Sequence, residues 1–149
     1  MKEFRIRPKN DYLHTASWED IYALSEHWLA DLEFFKDELN FLDTLVGKYF
    51  LLMIKKESVD KIHTIATNIS GLLKEQKVLN EKINKHLKDL SLLMENAFNT
   101  SEQWFRNDHV ELEERLTEFT INFRNIKREI FKITEGVLEN QKLQHLLNA

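Results

Sequence analysis

The sequence predicts an all-α fold, an elongated antiparallel three-helix bundle, on three observations. Apolar residues recur at alternating spacings of three and four, the 149 residues include only three glycines and one proline, and there is no cysteine. Spacings of three and four mark one face of an α-helix, whereas a sheet requires period two and frequent turn residues. A chain of this length buries a sizeable core without disulfides or metal staples. Residues 1–16 read as an extended basic leader and residues 17–149 as one helical-bundle domain.

The first helix is expected over about residues 17–54. Ser17 stands three residues before Asp20, so its hydroxyl can accept a free N–H while an acid occupies the positively polarised first turn. The seam runs Ile21, Trp28, Phe35, Leu42 and Tyr49 at sevens, with Leu32, Leu39, Val46 and Met53 one turn from each, the spacing of a bundle or coiled-coil helix. Extending that phase would bury Lys56, Asp60, His63 and Thr67. Instead the stripe resumes at Ile62, Ile65, Ile69, Leu72, Leu79, Ile83, Leu90 and Leu93. A turn at Lys55 to Ser58 with Ser58 as cap explains the shift, and gives a second, antiparallel helix over 58–97.

Phe98 to Asn107 then reads as a connection carrying Trp104 and Phe105 on one short turn. A third helix follows over 108–147, with Asp108 and Glu111 in capping-box spacing and an unbroken seam: Leu112, Leu116, Phe119, Phe123, Ile126, Ile130, Ile133, Val137. Gly47, Gly71 and Gly136 all fall inside helices, where they would permit close helix approach or a bend.

Composition narrows function more by exclusion than by assignment. Without cysteine there is no thiol catalysis or thiolate metal site. A net charge of −4 argues against a nucleic-acid partner, since such binding rests on neutralising phosphates. The longest apolar run, Tyr49 to Ile54, is too short for a membrane span, and the charged first ten residues carry no secretory h-region; the expected location is cytoplasmic. The cations of the leader, Lys2, Arg5, Arg7 and Lys9, contrast with the eight acids of the first helix, from Glu19 to Asp43. The lysines of the second helix are interleaved with acids and read as a solvated face.

No motif identifies an enzyme. The Glu-x-x-His pairs of di-iron bundles are missing, and His109 with Glu113 is a single His-x-x-x-Glu. One polar cluster stands out. His27 and Asp31 lie a turn apart on the first helix and antiparallel pairing puts His86 at their level, so these three are candidate ligands for a divalent metal, the one cofactor considered. Against that stands a hydrogen-bonded polar layer that fixes register. Glu38, Gln76 and Lys127 form a second expected layer.

The stronger clue is surplus apolar surface. Tyr22, Leu29 and Phe50 flank the first seam on one side, and Phe34 and Phe41 on the other. A three-helix bundle covers each helix on only two sides. The leader residues Phe4, Ile6, Tyr12 and Leu13, the Trp104 and Phe105 connection, or a second copy of the chain would have to cover the remainder. The expectation is therefore a non-enzymatic interaction or scaffold module, a homodimer or a partner of another helical protein. Its candidate surface is Tyr22, Leu29, Phe34, Phe41, Phe50, Trp104 and Phe105. The alternative is a metal- or small-ligand-binding bundle.

Overall fold

The computed structural model describes residues 16–95 and 102–147, with side chains described through residue 139. Within these residues the chain forms a three-helix bundle: α1 (Trp18–Met53), α2 (Val59–Met94) and α3 (Glu102–Leu147). The leader before Ala16, including its four apolar residues, lies outside them.

The two expected serine caps form. The Asp20 N–H donates to Ser17 Oγ at 3.1 Å and the Lys61 N–H to Ser58 Oγ at 3.0 Å, each relieving a donor that helix geometry leaves over. Between α1 and α2 the chain reverses through tightened bonds, Lys55 N–H to the Leu52 carbonyl (3.3 Å) and Lys56 N–H to that of Met53 (3.0 Å). The phase shift read from the sequence is thus resolved by a turn without glycine or proline.

α3 begins at Glu102, six residues earlier than expected. Trp104 and Phe105 are therefore part of its first turns, and Asp108 is an interior helical residue rather than a cap. The cause is packing: Phe105 is fully buried and continues the α3 seam backwards through His109 to Leu112 at spacings of four and three. Arg106 fastens this start. Its guanidinium binds Glu102 Oε2 one turn back (3.1 Å) and lies 4.3 Å from the Trp18 ring.

The helices assemble as two compact units, each containing a segment of every helix. Among the described residues the first comprises 16–35 and Glu75–Thr120. Its core joins Ile21, Trp28, Leu32 and Phe35 to Leu79, Ile83 and Leu90 and to Phe105, Leu116 and Phe119. Near the α1 start, Ala16, Trp18, Tyr22 and Leu93 pack around Ile21, Leu90 and Phe105. The second comprises Lys36–Lys74 and the chain from Ile121, with Leu39, Leu42, Val46 and Met53 against Ile62, Ile65 and Ile69 and against Phe123, Ile130 and Val137. In each, α2 runs against both neighbours, so α1 and α3 run the same way.

The glycines do not mark close helix contacts. A Cβ built on Gly47 or Gly71 would meet no heavy atom within 4 Å, and on Gly136 only the end of the Lys56 side chain, at 3.5 Å. Glycine inside a helix costs backbone entropy that nothing here repays through packing. Gly47→Ala and Gly71→Ala are each expected to raise stability by about 0.5–1 kcal/mol in urea unfolding; destabilisation by either would show that the glycine serves a structural need.

Candidate functional site

Two features lie outside ordinary core packing, one in each unit. In the first, His86 of α2 and His109 of α3 occupy seam positions and are buried, with 1% and 0% of their surface exposed. Their rings meet edge to edge, His86 Nε2 to His109 Nδ1 at 2.9 Å, and His86 Nδ1 lies 2.9 Å from Asp108 Oδ2. Phe105 stacks on His86 at 4.2 Å and Trp28 on His109 at 4.6 Å. A line of hydrogen bonds therefore leads from a partly exposed carboxylate into an aromatic sandwich.

The chemistry fixes the proton positions. With Asp108 ionised and His86 neutral, the His86 proton resides on Nδ1, and the bare Nε2 accepts from His109 Nδ1–H. Protonating His86 would place a hydrogen on Nε2 and require His109 to move its own proton to Nε2. Burial depresses the His86 pKa, and this outweighs the opposing attraction of Asp108 and Asp89; Lys85 adds to the depression. A cleft of about 230 Å³, flanked by Lys82, Lys85 and Arg115, reaches Asp108 and the His86 edge.

The partners of His86 are not those expected. His27 is exposed and Asp31 half-buried on α1, while both ring nitrogens of His86 are engaged by α3. Among the described residues no three His, Asp or Glu side chains converge to hold a metal ion. The spacing reads Asp108 as a cap and His109 as a helix-start residue, whereas both are hydrogen-bond partners of His86. The signal for His109 was present in the spacing from Phe105 to Leu112. Of the second polar layer, Lys127 Nζ does bind Glu38 Oε1 at 2.6 Å, but Gln76 donates its amide to the Leu32 carbonyl at 3.0 Å.

The second feature is an apolar groove in the second unit, between the parallel helices α1 and α3. Glu38, Phe41 and Leu45 lie on one α1 stripe at i, i+3 and i+7. Across from them Lys127, Phe131, Thr134 and Leu138 follow at i, i+4, i+7 and i+11 on α3. The Glu38–Lys127 pair bridges the stripes. Beyond it opens a groove of about 350 Å³ lined by Leu45, Phe131, Thr134 and Leu138 and edged by Glu135 and Glu139. Phe41 is 54% exposed, and Phe131 and Leu138 each 45%. The Thr134 hydroxyl is buried with no hydrogen-bond partner among the described residues.

No protein family, curated protein or solved structure matches this chain. Function must therefore be argued from the two features themselves.

The surplus apolar surface of α1 divides between its flanks. Tyr22 packs into the core near the α1 start, Leu29 is half-buried, and Phe50 meets the edge of His63 at 5.8 Å. Phe34, like Phe41, is more than half exposed, and Trp104 nearly half. Phe105, expected at the surface, is core. No helix is long and apolar enough to cross a membrane among the described residues.

The buried histidine makes stability depend on pH. Because the folded-state pKa of His86 lies below its usual value near 6.5, the unfolded chain binds the proton more readily. Stability is full above about pH 6.5 and falls as pH drops through the folded-state pKa. The urea midpoint is expected to decline from about pH 7.5 to 5, and His86→Gln, which retains an amide donor for Asp108, to flatten that decline. An equally steep decline in the variant would assign the effect to other groups.

Proposed function

We propose that this chain is a non-enzymatic interaction module that self-associates, with the α1–α3 groove of the second unit as its docking face. The observation that carries this reading is the exposure of Phe131 and Leu138 along one groove, with exposed Phe41 one turn before its lining residue Leu45 on α1. Single exposed apolar residues need no explanation, but a contiguous set lining a groove is typical of an interface.

Charge favours a second copy as occupant. On α3 the stripe that lines the groove carries Lys127, which also pairs with Glu38, before it and the carboxylates Glu135 and Glu139 along it. A two-fold pairing that crosses between them sets the carboxylates of each copy beside the Lys127 of the other. Such a self-complementary patch is what an isologous dimer requires. In the dimer the apolar side chains of the two grooves interdigitate and supply the affinity, while the charges fix the register.

Sedimentation across a concentration series tests this directly. The wild-type chain is expected to be dimeric at about tens of micromolar. Phe131→Glu and Leu138→Glu, both at exposed positions, are expected to give monomers with unchanged helical circular dichroism. A wild-type monomer throughout that range would overturn self-association and leave the groove to a different helical protein. A dimer indifferent to both substitutions would place the interface elsewhere.

A further inference from the structure

A second opening in the second unit has the opposite character. Where the α1–α2 turn meets α3, Lys56, Lys61, Arg128 and Lys132 converge on a cleft of about 510 Å³, with Glu57 and Glu129 as its acids. Four cations against two carboxylates leave a local excess of positive charge on a chain whose net charge is −4. Like charges gathered in this way repel one another, so their proximity calls for a counter-charge.

The carboxylates are already engaged. Lys61 lies 3.2 Å from Glu57 and 3.8 Å from Glu129, so both acids face the same cation, while four cations against two acids leave the cleft two positive charges in excess. Arg128 donates to the neutral amide oxygen of Asn125 at 3.3 Å, which leaves its charge uncompensated. Lys56 and Lys132 have neither an ion pair nor a hydrogen bond among the described residues. The Lys56 side chain instead reaches α3 beside Gly136, its Cε and Nζ 3.5 Å from where a Cβ would stand, an ordinary contact distance. Arg128 and Lys132, four residues apart, present their charges on one face of α3.

The geometry points to an oligophosphate-binding site in this cleft. A planar guanidinium matches the paired oxygens of a phosphoryl group, and two mobile ammonium groups suit neighbouring phosphoryls as point charges. A chain of linked phosphoryls carries enough charge to answer Lys56, Arg128 and Lys132 together, which a single carboxylate does not. The volume is that of a small-ligand site. The phosphoryls belong either to a free inorganic chain or to a nucleoside polyphosphate, because both share the group that is recognised.

Calorimetric titration of the full chain with inorganic tripolyphosphate, and in parallel with adenosine triphosphate, tests the assignment. Saturable one-site binding is expected, weakening as salt rises. Lys56→Gln and Lys132→Gln should each weaken it about tenfold, the loss of one charge-assisted hydrogen bond. Both positions are exposed, so the fold is retained, and Lys74→Gln on the exposed face of α2 serves as the control. Tighter binding of the nucleotide would identify the nucleoside-bearing source, and equal binding the inorganic chain. Absence of saturable binding to either probe would overturn the proposal, as would equal weakening by Lys74→Gln, which would mark general surface attraction.

Discussion

Met53 and Ile62 are both buried, yet the apolar phase slips between them, and the chain buries both stripes only by turning back on itself. That reversal, made in a few residues at the α1–α2 turn, is the constraint from which the rest of the structure follows. It sets α2 against α1, and the return of the chain as α3 then aligns α3 with α1. In each unit α2 covers one side of both neighbours. Among the described residues no further helix covers the outer side of the parallel pair, and Phe41, Phe131 and Leu138 face outward.

The same alignment explains why the buried histidines face one another. α2 and α3 run antiparallel, so a histidine late in α2 comes level with one early in α3, and their aromatic neighbours close over them. Polar groups in such a place cost stability unless paired, and once paired they favour a single register. His86 has both ring nitrogens matched. That degree of satisfaction accords with a register-setting layer within the core, and it separates the histidines from the second unit's groove and basic cleft in chemistry as well as in location along the chain.

Much of this was legible in the sequence because periodicity reports burial directly. Ile21, Trp28, Phe35 and Leu42 on α1, and Leu112 to Val137 on α3, repeat at helical spacing and are all buried. Ser17 and Ser58 announce caps whose bonds form. Periodicity misled where a polar residue occupied a seam position. His109 interrupts the apolar pattern, so the spacing alone detaches the Phe105 turn from α3 and offers Asp108 as a cap. The site was less legible than the fold. Level counting brought His86 toward α1, but which of two neighbouring helices a buried side chain addresses depends on its angle around the helix. Likewise Phe131 and Leu138 announce themselves only once the α1 stripe opposite them is known.

The proposed two-fold contact lies on the outward face of α1 and α3. The chain has no cysteine of its own, so a single introduced thiol reports on one position without interference. A two-fold pairing that crosses between Lys127 and Glu135 brings position 131 of each copy close to its counterpart. Mild oxidation of the Phe131→Cys variant, compared with Val78→Cys on α2, measures this most directly, since disulfides form only where Cα atoms approach within about 7 Å. Rapid formation of a covalent dimer by the first variant and not the second is expected; equal rates in the two, or none in either, would rule out this pairing.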